Sequence, residues 1–214
     1  ITDRPGFEIG DAMLSSLRET EISIQHCLDL ITAFKQDAIK LRYDNWSGLM
    51  DYCRYSATPV GRYLIDLHGG DEADYRPSDA LCSALQILNH LQDCKEDFQI
   101  LNRVYLPLDC LQKYNVPLTD LSARVSSQGL RNVKNEILVK TGTLIEDAKP
   151  LIRRLKSRRL AMEAQFIINI AGCLASELTV RDPLAEYVGL SKWQYAKNCM
   201  VGVLAAITTQ RRVI

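Results

Sequence analysis

The sequence is short of most features that announce a function. Its 26 basic and 26 acidic residues cancel to zero net charge, with a pI near 7.0. No global field therefore draws it to nucleic acid or to an anionic membrane, and any charge-based function is local. There is no CxxC pair: seven cysteines, at 27, 53, 82, 94, 110, 173 and 199, lie singly. Scattered and odd in number, they read as reduced, mostly buried thiols of a cytoplasmic protein and argue against structural zinc. Only three histidines occur, His26, His68 and His90, in no metal-ligand spacing.

Long apolar runs are missing too. The longest, Phe166–Ala175, is broken by Asn169, and a helix of that length falls far short of a hydrocarbon core about 30 Å thick. No signal peptide is visible, no Gly-rich dinucleotide fingerprint occurs, and no apolar–polar alternation lasts long enough for a strand. A starting methionine is also absent, since the chain opens at Ile1; the expectation is that sequence upstream is missing.

What remains is helical periodicity along almost the whole chain. Residues 22–42 read as one amphipathic helix and 45–69 as a second, kinked at Pro59 and Gly61. Gly69 and Gly70 end it, and Ser78 or Asp79 caps a third helix over 79–101. A loop with Pro107 and Pro117 follows, then helices over 128–156, 158–179 and 191–211. Without repeats or linkers, residues 1–214 form one all-α domain, a bundle of long helices.

The third helix carries the chemistry. At about 100° per residue, Gln86, Asn89, Asp93, Glu96 and Asp97 share an arc of roughly 100°, with no Lys or Arg on it. Asp93 and Asp97, one turn apart, and Asn89 a turn earlier offer the hard oxygen ligands that suit Mg²⁺ bridged to a phosphate. The bland reading is a solvated helix face. His90 lies beside this face, where a lone histidine is more commonly just packed. The segment around Tyr52, Val60 and Gly61 sets an aromatic and small residues at a helix break, where a ligand chain or merely another helix can approach. Arg103 and Tyr105 follow the acidic helix; Arg103 suits a phosphate contact or the C-terminal helix dipole.

Together the segments "YCRYSATPVG", "QILNHLQDCKED" and "RVYLP", in this order and spacing, resemble the squalene and phytoene synthase family. Within it they are similar to the hopanoid-associated squalene synthases, the hydroxysqualene synthase branch. The resemblance implies an isoprenoid-synthase fold with helices around a central cavity, a prenyl diphosphate substrate (presqualene or farnesyl diphosphate), and Mg²⁺ as cofactor. It implies that Asn89, Asp93 and Asp97 hold the metal, that Gln86 lines the diphosphate region and Arg103 contacts phosphate, and that Tyr105, at the end of the same motif, belongs to the substrate site. Tyr52 would sit in the reaction cavity, with Val60 and Gly61 beside the prenyl chains; helices 45–69, 79–101 and 158–179 would line the tunnel.

Two departures stand out. Many relatives carry an arginine just before the first aspartate of the motif, where this chain has Gln92. The family's first aspartate-rich motif belongs upstream of Ile1, so a segment supplying a facing set of carboxylates is expected there. Two rivals remain open: a carotenoid-type head-to-head prenyltransferase (dehydrosqualene or phytoene synthase), and a non-catalytic helical scaffold. Residues 192–212, with Trp193, Tyr195, Arg211 and Arg212, are a candidate peripheral membrane contact. Oligomeric state is not legible.

Overall fold

The computed structural model describes residues 7–198. Among the described residues the named α-helices are α1 Glu8–Glu19, α2 Gln25–Asp37, α3 Trp46–Ser56, α4 Thr58–Leu67, α5 Tyr75–Gln92, α6 Cys94–Leu101, α7 Leu108–Lys113, α8 Gln128–Ala148, α9 Leu151–Arg154 and α10 Arg158–Val180. Residues 192–198 are also helical. The helix expected over 191–211, with Arg211 and Arg212, lies largely outside the described residues. Among the described residues the only β pairing is an isolated parallel bridge, Arg42 with Val104.

Helix α5 is the axis of the core. Ala84, Ile87, Leu88 and Leu91 are fully or almost fully buried, and α3, α4, α8 and α10 pack around it. Helix ends follow their caps. Asn45, Ser127 and Ser157 accept hydrogen bonds from the first turns of α3, α8 and α10.

Five expected boundaries shift, each for a local reason. The 128–156 helix divides into α8 and α9 at Pro150, whose missing N–H cannot continue the hydrogen-bond ladder. The 22–42 helix stops at Asp37, and residues 41–44 run extended so that the Leu41 carbonyl accepts from Val104 N at 2.9 Å and that of Tyr43 from Leu108 N at 2.9 Å. The 45–69 helix breaks at Ala57 rather than bending at Gly61, because Pro59 sits in the first turn of α4, where its missing N–H costs no hydrogen bond. The motif helix starts at Tyr75, four residues early. A 3-10 turn at Glu72–Asp74 precedes it, closed by a reciprocal capping box between Asp71 and Asp74. It then bends at Asp93, which ends α5 and begins α6.

Contacts far apart in sequence lock this frame. His26 Nε2 and Tyr75 OH meet the two oxygens of Asp66 at 2.7 and 2.5 Å, joining α2, α4 and α5. The loop after α10 is strapped to the centre: Gln92 Nε2 donates to the Val188 carbonyl at 2.6 Å, Lys95 Nζ to that of Leu184 at 2.7 Å, and Lys134 Nζ to that of Arg181 at 2.7 Å. No described helix is long and apolar enough to cross a membrane.

Candidate active site

The polar stripe survives the bend. Asp97 N still donates to the Asp93 carbonyl at 2.8 Å, so the two carboxylates remain one turn apart across the α5–α6 junction. Glu96 and Asp97 fall in the first turn of α6, where the helix dipole favours negative charge. Asn89 is exposed, while Gln86, Asp93 and Asp97 are half-buried. Asp93 has no cationic partner among the described residues, and the nearest base to Asp97 is His90, with Nδ1 at 3.9 Å from Oδ2. Burial first, then the neighbouring charges of Asp97 and Glu96, raise the Asp93 carboxyl above the ordinary carboxylate range.

The other face of the site is an aromatic stack that sequence reading only half anticipated. Asn102 takes a left-handed conformation (φ 51°) at the end of α6, turning the chain back so that Arg103 N reaches the Asp97 carbonyl at 3.0 Å. The extended segment that follows delivers Tyr105 beside the motif. Tyr105 stacks on His90 with ring centroids 3.6 Å apart and planes 11° apart, and on Tyr43 at 5.5 Å and 19°. Tyr52 leans against this stack, 5.4 Å from Tyr105 and 6.0 Å from His90. All four rings are buried.

Asp37, the last residue of α2, organises the cluster. Its carboxylate accepts from Tyr52 OH at 3.1 Å and from Tyr105 OH at 3.3 Å, and its carbonyl accepts from Arg103 Nη2 at 2.7 Å. The Arg103 Nε is buried without a hydrogen-bond partner among the described residues. Burial, then the nearby carboxylate and phenol oxygens, push the Tyr52 hydroxyl far above its ordinary pKa, so it is a hydrogen-bond donor throughout the physiological range. Asp37 and Tyr43 were not singled out in the sequence. "AFKQDAIKLRY" carries no motif, and only the pairing of residues 41–44 with 104–109 brings them to the site.

Thus Gln86, Asn89, Asp93, Asp97, Tyr52, Arg103 and Tyr105 converge, while Val60 and Gly61 lie beyond one end of the stripe. Gly61 packs on α5 where a Cβ would sit 2.4 Å from Ser78 Oγ and 2.6 Å from Cys82 Sγ. Cys82 is one turn before Gln86 on the same face. Val60 is half-exposed. Gln92, strapped to the loop at Val188, turns away from the carboxylates. A cavity of about 320 Å³ opens along the N-terminal half of α5, lined by Arg54, Thr58, Arg62, Asp79, Ser83 and Asp147 among others. It involves α8 rather than α10 and is not the expected tunnel.

The squalene/phytoene synthase family model matches residues 3–194. The chain belongs to this family. Among curated relatives it is similar to the hydroxysqualene synthase of Rhodopseudomonas palustris, 43% identical over 180 residues, covering 84% of this chain and 62% of that protein. It is also similar to that of Sinorhizobium fredii, 44% identical over 167 residues, covering 78% of this chain and 57% of the relative. The chain thus spans about three-fifths of these relatives' length. Among solved structures, squalene synthase HpnC from Alicyclobacillus acidocaldarius superposes with a TM-score of 0.72 at 32% identity, over 78% of this chain and 63% of that one. The all-α isoprenoid-synthase architecture is therefore shared.

In this family member the donors fit a hard divalent cation from one side only. Among the described residues no three His, Cys, Asp or Glu side chains converge into a cage. Two carboxylates and one amide leave the remaining positions to phosphate oxygens and water, the mode Mg²⁺ favours.

Proposed function

We propose that the protein is a Mg²⁺-dependent prenyl diphosphate synthase of squalene and hopanoid biosynthesis. Its substrate is presqualene diphosphate and its product hydroxysqualene. The observation that carries the reading is the uncompensated stripe Asn89, Asp93 and Asp97, with the Asp93 carboxyl raised, in a chain more than 40% identical to hydroxysqualene synthases.

When bound, Mg²⁺ supplies charge neutralisation for the departing diphosphate. Asn89, Asp93 and Asp97 would hold it against the substrate, and Arg103, whose Nε has no partner, would offer a donor to a phosphate oxygen. The Tyr52 ring would shield and attract the carbocation by about 0.5–2 kcal/mol, so positioning and charge at the diphosphate account for most of the rate. The carbon–oxygen bond to diphosphate breaks, water adds to the cation, and a proton is released, giving the alcohol without a reductant.

Purified protein, as this chain and with any upstream sequence its gene supplies, is incubated with presqualene diphosphate and Mg²⁺, and products are read by mass spectrometry. Hydroxysqualene is expected, lost with chelator and reduced at least a hundredfold by Asp93→Asn. Product that ignores chelator, or none from either form, overturns the reading. Turnover of farnesyl diphosphate alone would point to the carotenoid-type reaction instead.

A further inference from the structure

We propose that His90 is a positioning residue for Asp97, holding one carboxylate oxygen by a hydrogen bond from Nδ1 so that the other is presented to the metal. This rests on the metal–diphosphate reading of the stripe.

The imidazole is clamped on every side that could let it turn. Tyr105 lies flat on its face at 3.6 Å, and Tyr105 is itself fixed by its hydroxyl on Asp37 and by the Tyr43 ring behind it. At the ring edge, Gln86 Nε2 stands 3.0 Å from His90 Nε2. An amide nitrogen can only donate, so Nε2 of the ring accepts, and a neutral imidazole must then carry its proton on Nδ1.

That Nδ1–H is buried and has no hydrogen-bond partner. The carboxylate it faces is Asp97, whose Oδ2 is 3.9 Å away. A buried donor left unpaired is costly, the residue is only 6% exposed, and a modest rotation of Asp97 closes the gap. Asp97 sits in the first turn of α6, just past the bend at Asp93, where its side chain has no cation to hold it. An apolar residue would fill the same volume against Tyr105 more cheaply; a ring with one nitrogen anchored on Gln86 and the other turned to a carboxylate is built to orient that carboxylate. Partners of this kind typically change metal affinity 10–100-fold.

The test is calorimetric titration of Mn²⁺ in the presence of inorganic diphosphate, on the parent chain and on His90→Leu, His90→Asn and Asp97→Asn. Asparagine places an amide N–H near the position of Nδ1. His90→Leu is expected to weaken Mn²⁺ binding about tenfold or more, and His90→Asn to stay within about threefold of the parent. If Asp97→Asn weakens binding while His90→Leu leaves it unchanged, this inference falls and the site reading stands. If Asp97→Asn also binds like the parent, the site reading falls first. Nitrogen-15 NMR of the parent imidazole needs no variant to fold: a proton on Nδ1 supports the assignment, and a proton on Nε2 overturns it.

Discussion

Tyr52, Tyr105 and Asp37 show how single side chains set the chemistry. Two phenols donate to one carboxylate beside the Asn89–Asp93–Asp97 stripe, so their rings are fixed rather than merely packed. Tyr52→Phe is expected to cost about 1 kcal/mol in stability and to lower turnover more than substrate affinity, read as a fall in kcat at nearly constant KM. The cysteines behave oppositely. Burial pushes the Cys53 and Cys94 thiols up to about 12, and burial with a nearby acid pushes Cys110 to about 11. All three stay protonated at pH 8 and are expected to resist a thiol-disulfide reagent until the protein unfolds; rapid labelling of the folded protein would contradict this. Composition led to the reading of reduced, mostly buried thiols; the six cysteines among the described residues are free, but only Cys53, Cys94 and Cys110 are buried, while Cys27, Cys82 and Cys173 are half-buried.

Among elements, α4 and α5 depend on one missing side chain. Gly61→Ala drives a Cβ into Ser78 Oγ and Cys82 Sγ and is expected to destabilise by about 1–3 kcal/mol, measured by urea unfolding. Helices α7 and α8 are joined by Glu136, which accepts from Lys113 Nζ at 2.6 Å and Tyr114 OH at 3.1 Å. The hydrogen bond from Lys113, aided by Lys140 and Tyr114 and opposed by burial, holds its carboxyl at about 2. A depressed carboxyl stabilises the fold above its unfolded value, and that contribution is lost as pH falls toward 2. Glu136→Gln is therefore expected to melt slightly below wild type at pH 6, with the gap closing by pH 2. Helix existence was legible because the apolar period persists; the ends were not. The Asp71–Asp74 capping box and the Asp93 bend are decided by hydrogen bonds over a few residues, which periodicity averages away.

At the scale of the whole molecule, the site is assembled from α2, α3, α5, α6 and the segment after α6, and this explains what was legible. The Asn89–Asp93–Asp97 stripe lies within two turns of one helical stretch, so spacing exposed it. Asp37 and Tyr43 enter only through the pairing of residues 41–44 with 104–109, and His90 becomes meaningful only once Tyr105 is folded onto it. No local pattern in the sequence records either event. The central claim is that this stripe, rather than the arginine-lined cavity along the N-terminal half of α5, receives a metal–diphosphate pair. The most direct measurement is anomalous scattering from crystals soaked with Mn²⁺ and inorganic diphosphate. The account predicts a manganese peak within coordination distance of Asp93 and Asp97, with diphosphate density toward Arg103. Manganese and diphosphate found together in the cavity between Arg54 and Asp147, with none at Asp93, would contradict it.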